Sequence, residues 1–237
     1  MIIWMLTLFL AGTSLSVPIA EWDHFEKAVR DQSVQKAEAK KQFLVLYKQL
    51  KNICAEYPFN RSAAWTFPVQ GYGIKDVGAG GFKPNSRYGS SPIKGYDFFD
   101  GNKHGGHPAY DIFIQDKDRN SLDDASRQPV AVVAPVDLLI LSAENGWKPE
   151  SEIRGGNYVW ALDPLQDRVF YFAHMNKTLV RAGDFCKAGS GIGTVGRSGK
   201  NAYPTRSATH LHLMVLKVRG GELIPMDFIP YLQNLVK

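Results

Sequence analysis

The sequence predicts a mainly β protein, an antiparallel sheet arranged as a sandwich or partly open barrel, with a helical arm at its N-terminus. Between residues 65 and 225, short apolar runs recur at regular spacing between turn residues, and no helical period of ten residues appears. Residues 21–57 differ, because they contain neither glycine nor proline and their apolar residues recur at three- and four-residue steps. The chain therefore changes from helix to sheet near Pro58.

Composition sets limits on the partners of this protein. A length of 237 residues suffices for one well-packed domain plus an appendage. The net charge of +5 is modest and is spread along the chain, without a Lys/Arg block that would follow a phosphate backbone, so we expect no nucleic-acid partner. Cys54 and Cys186 leave one disulfide and two free thiols equally open, and neither has a cysteine nearby at metal-binding spacing.

Residues 1–16 have the outline of a secretory signal peptide. They are uncharged and strongly apolar, and Ser14-Leu15-Ser16 offers a small-x-small cleavage site before Val17. We therefore expect an exported protein, periplasmic or extracellular, with no membrane span in the mature chain once the signal is cleaved. An uncleaved anchor is the alternative, because the uncharged run continues to Ala20 and roughly twenty apolar residues can span a bilayer.

Three segments follow from these patterns: the signal peptide, a helical arm over residues 17–64, and the β domain over residues 65–237. The arm is one long helix or two shorter ones, and we expect it to pack on the domain. Docking of the arm on the domain could regulate the functional site. A helix that binds a partner is the alternative. The predicted strands of the domain cover residues 66–69, 112–114, 129–135, 138–142, 157–162, 169–174 and 209–215.

The last of these strands contains an unusual pair of histidines. Residues two apart in a strand point to the same side, so His210 and His212 share one face while Leu211 and Leu213 share the other. Two neighbouring imidazoles are costly to bury without partners, and a divalent cation between them and other donors would supply one. An exposed pair on a polar face is the alternative.

Other donors for such a cation are few, since the chain has six histidines. His107 and Asp111 lie four residues apart where a strand begins, and two imidazoles, one carboxylate and an open position are typical of catalytic zinc. His174 ends a predicted strand and could lie at the same rim, as a structural residue or as a proton-transfer group. His104 is a weaker substitute for His107, and His24 is expected on the surface of the helical arm.

Two other motifs are weaker. Residues 116–127 begin like a calcium loop, but the glycine expected at the sixth position is missing and Arg127 replaces the final glutamate, so we predict a solvated turn. Residues 191–196 fit the spacing of a phosphate loop, yet no helix follows them, and we discard this interpretation.

Several of these pieces occur in a familiar order. Five motifs together span most of the chain from about Trp65 to Leu235. They are Phe67-Pro68-Val69, the His-x-x-x-Asp of His107 and Asp111, residues 171–175, the glycine-rich run 180–196 and His210-Leu211-His212. This arrangement resembles the lysostaphin/LytM-type zinc metallopeptidases, which hydrolyse peptide bonds in peptidoglycan. The resemblance implies a small antiparallel β body with a groove walled by loops, here residues 71–95 and 200–206.

The resemblance also implies roles for individual residues. His107, Asp111 and His212 would bind one Zn²⁺ per chain, and His174 and His210 would be catalytic, one handling the proton of the attacking water and the other stabilising the oxyanion. The choice of His212 over His210 as ligand comes from the family, because strand geometry does not separate them. Ala109 replaces a glycine common in the family, and residues 206–209 lack the common Gly-Pro, which bears on the shape of the groove.

The implied function is a secreted or periplasmic zinc metalloendopeptidase, a hydrolase that acts on the peptides of peptidoglycan cross-links in the cell wall. A catalytically inactive LytM-like scaffold that binds and regulates a cell-wall enzyme is the main alternative. Inactive relatives typically lose metal-site residues, whereas all five positions are present here. A zinc-dependent hydrolase of an extracellular glycine-rich protein is a third interpretation.

Overall fold

A computed structural model describes residues 13–60, 64–78, 82, 94–233 and 235, with the backbone alone for residues 13–16. The predicted signal peptide therefore lies outside the described residues, except for its last four, which begin the first helix. None of the described helices combines the length and the apolar character that a bilayer span requires.

The N-terminal segment forms two helices, α1 (Thr13–Arg30) and α2 (Lys36–Cys54). The chain turns between them at Gln32, whose φ is 58°, and the amides of Gln32 and Ser33 donate to carbonyls in the last turn of α1. These bonds satisfy carbonyls that a helix leaves unpaired at its end, so the long apolar pattern divides into two helices here.

The β body consists of nine strands. They are β1 (Tyr110–Phe113), β2 (Ala131–Val133), β3 (Leu138–Glu144), β4 (Asn157–Asp163), β5 (Arg168–Thr178), β6 (Phe185–Cys186), β7 (Gly191–Val195), β8 (His210–Arg219) and β9 (Glu222–Pro225). A short helix α3 (Ile229–Gln233) follows, and two 3-10 turns cover Ile74–Asp76 and Phe98–Lys103. Within the described residues, no α-helix lies between α2 and α3, as the sequence predicts.

All pairings between the strands are antiparallel, in the order β1-β8-β5-β4-β3-β6, with β9 beside β8. The sheet branches at β5, because the first part of this strand pairs with β8 and its last residues pair with β7, which in turn pairs with β2. Both branches contribute residues to one hydrophobic core, Val132 and Val195 from one branch and Leu211 and Leu213 from the other. The predicted fold class, an antiparallel and partly open sheet, is confirmed.

One predicted strand is wrong. Residues 66–69 form an isolated bridge, between Val69 and Val132, instead of a continuous strand. Pro68 has no amide hydrogen to donate to a ladder, which limits regular pairing at this position.

The sheet separates two hydrophobic cores. The inner core lies between the branches and contains Leu211, Leu213 and Val215 of β8. The second core lies on the opposite side, which we call the helix face, where alternate residues such as Met214 and Leu216 meet α1 and α2. His210 and His212 have the same strand phase as Met214, and they therefore lie on the helix face.

The two cysteines are free thiols in different cores, Cys54 in the core beneath the helices and Cys186 in the inner core. Burial raises the pKa of the Cys54 thiol to about 12 and that of Cys186 to about 11. The free-thiol alternative therefore describes this structure, and both side chains act as small apolar core residues.

The turn that resembles a calcium loop is less solvated than predicted. Asp116 is buried, and its carboxylate accepts hydrogen bonds from the amides of Asn120 and Ser121 and from the Thr209 hydroxyl. The carboxylate ties this turn to the residue just before β8, so its role in the structure is to position that strand.

Candidate metal centre and its cavity

The register between β1 and β8 brings two of the predicted ligands together. Asp111 is directly opposite His212 in this pairing, and Phe113 is opposite His210. His212 is also opposite Ala173 of β5 on its other side. A carboxylate from β1 therefore faces an imidazole from β8 at a position that the sheet fixes on both sides.

His107 reaches the same point from the loop before β1. Its Nε2 lies 3.2 Å from Nδ1 of His212 and 3.3 Å from Oδ1 of Asp111, and Asp111 Oδ1 lies 3.0 Å from His212 Nδ1. The three donor atoms thus form a nearly equilateral triangle, in which His212 is about a hundred positions away in sequence from His107 and Asp111. These residues form a group able to hold a metal ion.

This triangle fits a tetrahedral zinc ion. Bonds of about 2.0–2.1 Å in tetrahedral geometry place ligand atoms about 3.3–3.4 Å apart. The observed separations of 3.0–3.3 Å are slightly shorter, so a small outward adjustment of the side chains would accommodate the ion. Two imidazoles and one carboxylate also leave the fourth position open, as catalytic zinc sites do.

The Asp111 carboxylate is held in its ionised form. Burial alone would raise its pKa, but hydrogen bonds from His107 and His212 and the nearby imidazole charges outweigh burial, and the pKa falls well below its usual range. A carboxylate that is already deprotonated needs to lose no proton before it binds a cation.

His210 lies beside the triangle, but its ring is buried and its Nδ1 faces the backbone. It is 3% exposed, and its Nδ1 lies 2.7 Å from the carbonyl oxygen of Ala208. A carbonyl can only accept, so we place the proton on Nδ1, which leaves Nε2 as an acceptor 3.6 Å from Asp111 Oδ1. Burial lowers the pKa of His210, so the ring is neutral at physiological pH.

His174 presents a second neutral imidazole. Its Nδ1 lies 2.8 Å from the carbonyl of Ser198, and its ring centroid lies 5.0 Å from that of His210 and 5.6 Å from that of His212. Burial, with the neighbouring histidines, lowers the pKa of His174 to about 3. By the same reasoning its Nε2 is an unprotonated acceptor.

The backbone at His174 differs from the predicted strand end. β5 continues to Thr178, and His174 occupies the point where this strand passes from β8 to β7, with a φ of 61°. A left-handed conformation is uncommon for a residue with a side chain and costs free energy. The bend turns the imidazole towards the donor cluster.

Buried polar residues fix the start of β8. The Thr209 hydroxyl donates to Asp116, and Arg197 donates to Thr209 Oγ1 and to the carbonyls of Pro204 and Ser207. These bonds connect the loop before β8 to the rest of the body. The position of His210 therefore depends on residues that do not touch the metal site.

The cluster opens into a cavity of about 350 Å³ on the helix face. Asn201 and Arg206 of the predicted wall at residues 200–206 line it, whereas most of the other predicted wall, residues 79–81 and 83–93, lies outside the described residues. His104 also lines the cavity, but its Nδ1 lies against the carbonyl of Gly105 and it does not join the triangle. His24 is exposed, as predicted.

The structure also reveals cavity residues that sequence analysis missed. Glu26 and Arg30 of α1 line the same cavity as the donor triangle, with Tyr158 of β4. Glu26 stands one turn after Trp22 on the apolar face of its helix, and a charged residue within an apolar stripe is the signal that could have drawn attention to it. Sequence alone gives no indication that this face meets the cavity.

The fold and donor set define a β protein with a candidate metal centre of the hydrolase type. Residues 120–225 match the sequence model of peptidase family M23, and this match supports the LytM-type peptidase family that the motifs predict. The matched segment is a little under half of the chain and includes His174, His210 and His212. A comparison with curated proteins found no match.

Several solved structures are similar to this chain. The catalytic domain of lysostaphin from Staphylococcus simulans shares 25% identity, with 66% of this chain and 91% of that chain covered and a TM-score of 0.40. A putative glycyl-glycine endopeptidase LytM from Ruminococcus gnavus shares 22% identity, with coverages of 82% and 72% and a TM-score of 0.45. A zinc-containing peptidase from Vibrio cholerae shares 19% identity, with coverages of 68% and 39% and a TM-score of 0.40.

Proposed function

We propose that this protein is an exported zinc-dependent endopeptidase that hydrolyses peptide bonds in peptidoglycan cross-links. The observation that supports this most directly is the triangle of donor atoms from His107, Asp111 and His212, with separations of 3.0–3.3 Å, at the mouth of a cavity. The family match supports peptide hydrolysis as the reaction.

The three residues would hold one zinc ion. When bound, zinc polarises the scissile carbonyl and lowers the pKa of a coordinated water to about 7. His210 accepts the proton of the attacking water at Nε2, which points to the donor triangle, and then returns this proton to the leaving amine.

His174 contributes as a second acceptor instead of an oxyanion donor. Its Nδ1 proton is engaged by Ser198, and its lowered pKa opposes a second proton at Nε2. In this arrangement His174 accepts a hydrogen bond from the nucleophile or from protonated His210, and so orients the group that reacts. This division of roles refines the one that the family resemblance implies.

Metal analysis and digestion of cell-wall material together test the proposal. We expect about one zinc per purified chain, and mass spectrometry of digested peptidoglycan should show cross-linked muropeptides converted to their separated peptides. His212→Ala is the matched inactive control. If zinc-loaded protein leaves the cross-links intact, the proposed function is wrong; cleavage of glycine-rich extracellular protein instead would indicate another substrate.

A protein that neither binds zinc nor cleaves peptidoglycan would instead behave as the scaffold alternative predicts.

A further inference from the structure

Helix α1 brings a carboxylate into the cavity of the metal cluster. Trp22, Phe25 and Val29 attach this helix to the sheet, and Glu26 on the same side is 4% exposed. Its Oε1 accepts a hydrogen bond of 2.6 Å from the Tyr158 hydroxyl. Its Oε2 accepts none from the part of the chain that the structure describes, although Glu26 lines the cavity. One acceptor of a buried carboxylate is therefore available to a ligand.

The charges around Glu26 do not neutralise it. Arg30 makes two bonds of 2.8 Å to the carboxylate of Asp31, and it reaches only the hydroxyl of Tyr158 with its remaining nitrogen. Lys27 is similarly paired with Asp23. Because both cations have an anionic partner, an ionised Glu26 is left as an unmatched negative charge, and a buried charge without a partner is unfavourable.

Two tyrosines add further acceptors in the cavity that Glu26 lines. Tyr96 and Tyr171 line the same cavity, and their hydroxyls make no hydrogen bond to any described residue. The Tyr171 ring packs against Trp160 and Tyr158 at centroid distances of 4.4 and 5.6 Å, so the walls here are aromatic. An ammonium group carries three donors and no acceptor, and aromatic faces attract cations.

We propose that Glu26, Tyr96 and Tyr171 form a subsite for a primary ammonium group in this cavity. This inference rests on the proposed function for its substrate context, which it narrows to peptides that carry a free amine near the scissile bond. The Tyr171 ring centroid lies 5.6 Å from that of Tyr158, which donates to Glu26, and 6.3 Å from that of His212, so the subsite adjoins the donor triangle. The amine that binds there would therefore belong to a residue close to the scissile bond.

Binding of two small probes tests the subsite directly. One is Nα-acetyl-lysine methylamide, which has a free amine, and the other is the same molecule with that amine acetylated. By calorimetry or NMR titration of the full chain, we expect the free amine to bind at least about tenfold more tightly, as expected for a charge-assisted contact. Glu26→Gln should remove this preference, while Glu21→Gln, an exposed glutamate of the same helix, should retain it.

Gln keeps the size of the side chain and can still accept from Tyr158, and a thermal melt of each variant checks that it is folded. Equal binding of the two probes, no binding of either, or an unchanged preference in Glu26→Gln would each overturn the subsite.

Cleavage of muropeptides separates this inference from the proposed function. Native muropeptides and muropeptides with acetylated amines are digested in parallel, and we expect the acetylated set to be cleaved more slowly by the wild-type protein. Equal rates would overturn the subsite and leave the peptidase intact. If neither set is cleaved, the proposed function fails, and the probe titration still decides whether the ammonium subsite exists.

Discussion

His210 and His212 are two residues apart on one strand, but their rings have different surroundings. His212 places Nδ1 within 3.2 Å of both other members of the donor triangle, and its side chain is 16% exposed. His210 directs Nδ1 to the backbone at Ala208 and keeps only Nε2 towards the site. The two histidines should therefore respond differently to removal.

Substitution of each histidine by alanine tests this difference. His212→Ala removes one of the three proposed ligands, and we expect zinc binding to be lost. His210→Ala should keep its zinc and lose about 10²–10⁴-fold in hydrolysis rate, as for removal of a general base. Zinc content by mass spectrometry and initial rates on muropeptides measure the two effects.

Full activity in His210→Ala would reject its role as a base. Stoichiometric zinc in His212→Ala would show that the ligand set is wrong. His24→Ala, an exposed histidine on α1, is the control that should change neither quantity.

The sequence is sufficient to select the candidate metal ligands, because histidines are few and strand alternation places two of them on one face. It could not choose between His210 and His212, since both have the same strand phase; the choice depends on which one stands opposite Asp111 in the register. Nor could it identify Glu26 as a cavity residue, because that depends on where α1 meets the sheet.

Helix α1 makes the stability of the fold depend on pH, because it buries the carboxyl group of Glu26. Burial raises the pKa of Glu26 from 4.5 to about 7, so the folded protein binds a proton there over a range in which the unfolded chain has lost it. The contribution of this group to stability is therefore fully present below about pH 4.5 and is lost as the pH rises through 7. Above this range the ionised, buried carboxylate destabilises the fold.

We expect Glu26→Gln to raise the free energy of unfolding at about pH 8.5 by up to about 3 kcal/mol, and to change it little at about pH 4.5. Urea unfolding at the two pH values measures the difference. Glu21→Gln, exposed on the same helix, should have no pH-dependent effect. An equal change at both pH values would contradict ionisation of Glu26 as the cause.

The elements themselves were predictable to different degrees. β3 and β4 coincide closely with the predicted apolar runs, because strands that bury one or both faces keep that pattern. β8 continues four residues beyond the predicted end, to Arg219. β5 extends four residues beyond the predicted end, since the chain bends at His174 and exchanges one partner strand for another. Exchange of partners is a non-local event that periodicity does not record.

In the whole molecule, the helices and the sheet share one core. Phe43 of α2 is fully buried, and its ring centroid lies 6.4 Å from that of Trp22 and 5.8 Å from that of Phe99. The ring centroid of Trp22 in turn lies 6.2 Å from that of Trp160 in β4. The sequence predicts an arm beside a domain, and its helical periodicity shows which face is apolar. The sequence cannot show that this apolar face covers the side of the sheet on which the donor triangle lies.

This shared core predicts that the helices and the sheet unfold together. Phe43→Ala should lower the free energy of unfolding by about 3–5 kcal/mol, the usual cost of removing a buried aromatic ring. For a chain of this size, the midpoint should fall by roughly 2–4 °C per kcal/mol. Val45→Ala on the same helix, where the side chain is exposed, is the control that should stay close to the wild type.

The decisive measurement compares two probes of the same thermal transition, far-UV circular dichroism for the helices and tryptophan fluorescence for the packed sheet. Because Trp22 and Trp160 lie on opposite sides of the contact between helix and sheet, separation of the two elements changes their surroundings at once. Coincident transitions in the wild type, shifted together by Phe43→Ala, are expected for a single cooperative unit. If the helical signal were lost first while fluorescence stayed native, α1 and α2 would unfold separately from the sheet. The part of the cavity wall that Glu26 forms would then be lost while the donor triangle stayed in place.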